Sequence, residues 1–136
     1  MSASSVQLKK LWWAGPLTVL AAIIGVLIVC AIARVILPSP YAPGLEMIMI
    51  PIILTLVLCT GAVIVYALVG RFAKNPVRTY IIISAVFLVI SFLPDIAAVS
   101  MPMPGAGWPY SITLMIMHVV AGFITVYMLI KLTANK

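Results

Sequence analysis

Four long apolar runs, separated by short segments rich in proline or charge, dominate the pattern of the chain. At about 1.5 Å per residue, a run of about 20 residues crosses a hydrocarbon core of about 30 Å. Backbone polar groups in lipid need internal partners, so such runs are helical. The pattern predicts an all-α polytopic membrane protein, a four-transmembrane-helix bundle that forms a single domain over residues 1–136. Its helices are expected at residues 11–37, 45–69, 79–101 and 111–132.

Prolines and charges predict where the connections lie. Residues 38–44 and residues 102–110 each contain three prolines. Because proline lacks the N–H that a helix interior requires, both segments are predicted to be loops. Residues 70–79 are the most hydrophilic segment of the chain and are predicted to form the remaining connection.

Two prolines are expected to kink helices rather than end them. The apolar stretch 80–93 reaches only about 21 Å before Pro94, so the third helix is expected to continue through Pro94 to residue 101. Pro51 lies one to two turns inside the second run, where a helix in lipid tolerates it.

The first run also resembles a secretory signal peptide, because Lys9 and Lys10 precede it and residues 31–33 read Ala-Ile-Ala. Its apolar part is longer than an ordinary signal-peptide core, which favours a transmembrane helix. A lipoprotein signal is not expected, since Val29, which is not a small residue, precedes Cys30.

The distribution of positive charge predicts the orientation. Of eight Lys and Arg residues, only Arg34 falls toward one side of the membrane, and the other seven fall on the opposite side. By the positive-inside rule the seven-charge side is cytoplasmic, so both termini are inside, N-in/C-in. The expected location is the cell membrane, as a multi-pass protein of a bacterial plasma membrane. The seven residues are Lys9, Lys10, Arg71, Lys74, Arg78, Lys131 and Lys136.

Composition excludes a nucleic-acid-binding protein. The chain is 65% hydrophobic and 7% charged, and its net charge of +6 occurs in small groups between apolar runs. No basic stripe with interleaved aromatic residues is present for a phosphate backbone to follow. The aromatic residues instead suggest interfacial anchors: Trp12 and Trp13 at the inner surface, and Tyr41, Trp108 and Tyr110 at the outer one.

Four ionisable side chains fall in the outer half of the membrane or at its outer surface: Arg34, Glu46, Asp95 and His118. Such groups cost about 2.5 to 3.5 kcal/mol at the bilayer centre, so each needs a role. Arg34, Asp95 and His118 form a candidate polar cluster. Arg34 and Asp95 are expected to form a structural ion pair or to reach water separately. Glu46 is expected at the start of the second helix, where a carboxylate complements the helix dipole.

His118 lies in an apolar stretch, roughly 10 Å below the outer end of the fourth run, and needs a partner from another helix. The expected partner is Asp95, Ser91 or a backbone carbonyl. A proton relay with Asp95 is the functional alternative. His118 is also the only candidate axial ligand for a haem or pigment, and quinone binding through it is a third alternative. With one histidine in the chain, bis-histidine haem is excluded, and no cofactor is expected.

Other constellations that carry chemistry are absent from the sequence. Cys30 and Cys59 lie in apolar runs and are expected to be inert packing residues. No catalytic residue and no metal site is predicted, and the protein is not expected to be an enzyme. Small residues are expected to allow close helix contact in lipid. These are Ala21 with Gly25, Ala121 with Thr125, and also Gly61 and Gly122.

Several features together resemble a known family. They are the Lys-rich start, the Pro-rich first loop, the basic second loop, Leu-Pro-Asp at residues 93–95 and Leu-Met-x-Met-His-Val-Val-Ala at residues 114–121. The chain resembles a family of small bacterial four-helix integral membrane proteins of unknown function. This resemblance implies four helices and a role for His118, but no activity. Small multidrug transporters share the helix count but have a glutamate in the first helix, which is absent here.

Two functional hypotheses follow. The first is a non-catalytic membrane protein that acts by association, as an accessory subunit of a larger membrane complex or as a homo-oligomer. Its partners would be the lipid bilayer and either other membrane subunits or further copies of the chain. The alternative is a small transporter or ion-conducting protein with an outward-facing polar cluster of Arg34, Asp95 and His118.

Overall fold

The protein is a bundle of four long helices. A computed structural model describes residues 6–37, 48–102 and 105–133. Each helix is long and apolar enough to cross a membrane. The predicted all-α, four-helix architecture is therefore confirmed, and the chain is a multi-pass membrane protein. Within the described ranges the helices are α1 (Leu11–Ile36), α2 (Met49–Phe72), α3 (Pro76–Ala97) and α4 (Trp108–Thr133), with 3₁₀ turns at Leu8–Lys10 and Ala98–Ser100.

The helices follow one another around the bundle, and α4 closes the ring against α1. The contact between α1 and α4 is the most extensive, and α2 also touches α4 across the bundle. Among the described residues α1 and α3 do not touch. Consecutive helices are antiparallel, since Gly15 near the start of α1 faces Val63 in the second half of α2.

Six basic residues collect at one end of the bundle, which we call the basic end. The backbone N–H of Gln7 donates to the carbonyl of Thr133 at 3.0 Å, so the start of α1 and the end of α4 lie side by side. Leu8 packs against Gly70, which brings the α2–α3 connection to the same place. Arg34, in the last turn of α1, lies at the opposite end. The residues of the basic end are Lys9, Lys10, Arg71, Lys74, Arg78 and Lys131.

Small residues allow α1 and α4 to approach closely. A Cβ added to Gly25 would lie 2.6 Å from Cδ1 of Ile124 and 3.1 Å from Cγ1 of Val120. Helices in lipid gain most of their contact energy from such close packing. The predicted close contact of Gly25 is thus confirmed. The same prediction is wrong within the described chain for Gly61, where nothing lies within 4 Å of an added Cβ.

Two connections are shorter than predicted, because proline can start a helix as well as end one. The connection predicted at residues 70–79 covers only residues 73–75, since α2 extends to Phe72 and α3 begins at Pro76. Proline suits the first turn, where its missing N–H has no helical acceptor. For the same reason α4 begins at Trp108, with Pro109 in its first turn, and not at residue 111.

The prediction that a helix continues past an internal proline is confirmed for Pro94, whereas Pro51 lies nearer its helix start than expected. α3 continues through Pro94 to Ala97 and then as a 3₁₀ turn to Ser100, close to the predicted end. Pro51 falls in the first turn of α2 as described, so it removes no helical hydrogen bond there. Pro16 lies inside α1 and leaves the carbonyl of Trp12 without its helical donor.

Some predictions fall on parts of the chain outside the described residues. They concern the loop at residues 38–44 with Tyr41, the helix-capping role of Glu46 and the position of Lys136. The loop at residues 102–110 is described except for residues 103 and 104.

Candidate functional site

An aspartate and a histidine form a pair between α3 and α4. Nδ1 of His118 lies 2.7 Å from Oδ2 of Asp95, so the ring N–H donates to the carboxylate. The Asp95 side chain is 5% exposed and that of His118 is 29% exposed. The pair therefore has one buried member and one member at the surface of the bundle.

The packing of α3 on α4 sets this geometry. Leu88 and Asp95 are seven residues apart and share one face of α3. Leu88 lies 3.8 Å from the Cβ position of Gly122, and Gly122 is one turn beyond His118 on α4. This contact lies at ordinary van der Waals distance, so α3 and α4 pack against each other one turn from His118, and Asp95 faces the ring.

His118 lies further from the start of its helix than the sequence predicts. His118 is ten residues from the start of α4 at Trp108, which corresponds to about 15 Å. The sequence estimate of roughly 10 Å assumed a helix that starts at residue 111. A lone ionised group as buried as Asp95 would be costly, and its pairing with His118 reduces that cost.

The structure brings together two of the three residues of the candidate polar cluster. Arg34 is half-buried in the last turn of α1, a helix that does not touch α3 within the described part of the chain. Among the described side chains no ion pair joins Arg34 to Asp95, whose partner is His118.

Further polar residues share the inner face of α4, and we call them the α4 polar row: Ser111, His118, Thr125 and Thr133. They are spaced seven, seven and eight residues apart, so they lie on one face of the helix. Sγ of Cys59 lies 3.4 Å from Oγ1 of Thr125, and the Tyr66 hydroxyl lies 2.7 Å from that of Thr133. Ser111 is fully buried, and its hydroxyl has no hydrogen-bond partner among the described residues.

The functional predictions did not include this row, although its heptad spacing is readable in the sequence. The contacts that α2 makes with this row cannot be predicted from the sequence, because no pattern indicates that Cys59 and Tyr66 face α4. Cys30 is buried beside Val26 and Met117, in apolar surroundings.

The Asp95–His118 pair offers proton exchange as its chemistry. A carboxylate and an imidazole can share or gain a proton, and the exposed side of the ring gives access. Nε2 of His118 makes no hydrogen bond with the described residues. In residues 6–37, 48–102 and 105–133, no three His, Cys, Asp or Glu side chains come together as a metal site would require.

A family model matches nearly the whole chain. It describes a family of unknown function, DUF6069, and it matches residues 6–135. The chain belongs to the DUF6069 family. The DUF6069 match includes all four helices together with Asp95 and His118. No curated protein and no solved structure matches the chain.

Proposed function

We propose that this DUF6069 protein is a non-catalytic membrane protein that acts by association, as an accessory subunit of a larger membrane complex or as a homo-oligomer. The surroundings of Gly61 are the observation that supports this proposal. Gly61 lies at the middle of α2, among the exposed apolar side chains of Val57, Ile64 and Leu68. An added Cβ there would meet nothing within 4 Å among the described residues. A small residue among large ones allows a helix from another chain to approach closely in lipid.

A large side chain at Gly61 is expected to weaken association. Gly61→Leu should lower the affinity between labelled copies, or between the protein and its native partner, on the order of ten-fold. Energy transfer between fluorophores, measured as the protein is diluted with lipid, reports this affinity. Ala85→Leu is the matched control, because it adds the same side chain at an exposed position of α3. Equal association of both variants and the wild type would contradict the role of Gly61.

The proposed orientation places both termini in the cytoplasm, in a bacterial plasma membrane. The six basic residues of the basic end, against Arg34 at the other end, support this orientation by the positive-inside rule. In a background with Cys30→Ala and Cys59→Ala, a membrane-impermeant thiol reagent added to intact cells should label Trp108→Cys. It should not label Lys74→Cys. The reverse labelling pattern would overturn the orientation.

The Asp95–His118 pair supports a second candidate, a small transporter or ion-conducting protein. Asp95 is buried and His118 is partly exposed. The α4 polar row adds polar groups toward the basic end, and Arg34 would lie near the outer opening. Proton flux into liposomes should fall sharply in Asp95→Asn and His118→Ala if these groups carry protons. Flux equal to that of the wild type in both variants removes this candidate.

A further inference from the structure

A shallow groove runs along the lipid-facing surface between α1 and α2. Its volume is about 390 Å³, and its lining is almost wholly apolar. Gly15, which has no side chain, and Thr60 are among the residues that line it. Oγ1 of Thr60 donates to the carbonyl of Leu56 at 2.6 Å, so its polar atom is already bonded. Along α1 the groove extends from Gly15 to Ile23.

The dimensions of the groove fit one hydrocarbon chain of a lipid. The distance from Gly15 to Ile23 along α1 is about 12 Å, most of the depth of one leaflet of the hydrocarbon core, which is about 15 Å. The groove lies in the half of the bundle nearer the basic end. A chain lying in it would therefore belong to a lipid whose headgroup is at the basic end.

Two exposed cations, Lys9 and Arg71, lie at the end of the bundle where that headgroup would be. Arg71 follows Thr60 by eleven residues, about three turns, so it lies on the same face of α2 nearer the basic end, and Lys9 lies in the 3₁₀ turn that precedes α1. The Leu8 side chain lies 3.0 Å from the Cβ position of Gly70, which brings the backbone beside Lys9 next to that beside Arg71.

Trp12 lies between the cations and the groove. Its side chain is 80% exposed, whereas that of Trp13 in the same turn is 38% exposed. An exposed tryptophan at a helix end rests at the level of lipid headgroups. The groove, the tryptophan and the two cations thus follow one another in the order that a phospholipid presents its chain, glycerol region and phosphate.

We propose that this groove binds an anionic phospholipid, with one acyl chain between α1 and α2 and the phosphate between Lys9 and Arg71. Basic pockets at helix ends on the cytoplasmic side attract anionic headgroups, and arginine can bind a phosphate through two N–H groups. The groove lies about 100° around α2 from Gly61, so the lipid site and the proposed association face are separate.

Lipid retention in native mass spectrometry tests the proposal. The full chain is reconstituted in equimolar phosphatidylcholine and phosphatidylglycerol, extracted in mild detergent and examined for bound lipid. We expect the wild type to retain phosphatidylglycerol in preference to phosphatidylcholine. Lys9→Gln combined with Arg71→Gln should weaken this retention on the order of thirty-fold, the combined effect of two basic residues at a membrane surface.

Variants in the groove separate a bound lipid from general charge attraction. Thr60→Phe fills the groove and should abolish retention, whereas Val89→Phe, at an exposed position of α3, should leave it unchanged. Equal retention of both lipids by the wild type would overturn the proposal. Retention that depends on the two cations but survives Thr60→Phe would also overturn it, because the lipid would then be held at the surface alone.

Two variants distinguish lipid binding in the groove from the proposed association between chains. Gly61→Leu should reduce association and keep the bound lipid, while Thr60→Phe should do the reverse. Leu20→Cys places a thiol in the groove. Disulfide cross-linking between copies through this thiol would show that a second chain occupies the groove, and this result would also contradict a lipid site.

Discussion

Replacing His118 by leucine is expected to destabilise the bundle by about 3–5 kcal/mol, because Asp95 then remains buried without its partner. The structure gives Asp95 one partner among the described residues, the ring of His118 at 2.7 Å. Asp95→Asn should cost less, since the amide oxygen can still accept from Nδ1–H. Reversible unfolding in mixed micelles, followed by circular dichroism, measures these differences.

The double variant is the control for this prediction. Asp95→Leu combined with His118→Leu removes both polar groups and should be far more stable than the sum of the two single changes predicts. A coupling free energy of about 2 kcal/mol or more is expected from the cycle. Additive effects would mean that the two side chains do not depend on each other.

A leucine at Gly25 is expected to separate α1 from α4 and to destabilise the bundle by about 1–3 kcal/mol or more. Even a single added carbon would lie 2.6 Å from Cδ1 of Ile124 and 3.1 Å from Cγ1 of Val120. The flexible end of Ile124 can turn away from a methyl group, so Gly25→Ala should cost less than Gly25→Leu. The midpoint of unfolding in mixed micelles reports the difference.

Gly61→Leu is the matched control for Gly25→Leu. It makes the same substitution near the middle of a helix, but no described residue lies within 4 Å of the new Cβ. In dilute detergent, where copies are separated, its stability should equal that of the wild type. Adding Ile124→Ala to Gly25→Leu should recover part of the loss. Equal destabilisation by both leucines would contradict the tight α1–α4 contact.

The number and type of the helices could be predicted from the sequence because lipid imposes them. A run that crosses hydrocarbon must satisfy its own backbone, so hydropathy alone predicts four helices. The ends of the helices could be predicted less well, because a proline can either end a helix or stand in its first turn. Pro76 and Pro109 were expected in loops, yet both stand in the first turn of a helix. A proline in a charged or aromatic segment does not reveal which side of it is helical.

The candidate site could be predicted only in part. The sequence pointed to Asp95 among several partners for His118, because an isolated histidine in lipid needs one. Which face each helix turns inward is not encoded in a uniformly apolar run, since periodicity is then too weak to fix rotation. For that reason neither the separation of Arg34 from α3 nor the contacts of Cys59 and Tyr66 with α4 was predictable.

Gentle purification of a tagged copy from its own membranes, with mass spectrometry of everything that co-purifies, is the most direct test of action by association. The proposal predicts a stoichiometric partner or a homo-oligomer for the wild type, and its loss in Gly61→Leu but not in Ala85→Leu. A wild-type protein that is monomeric and without a partner at every concentration would contradict the proposal, and flux through the Asp95 and His118 variants would then become the deciding experiment.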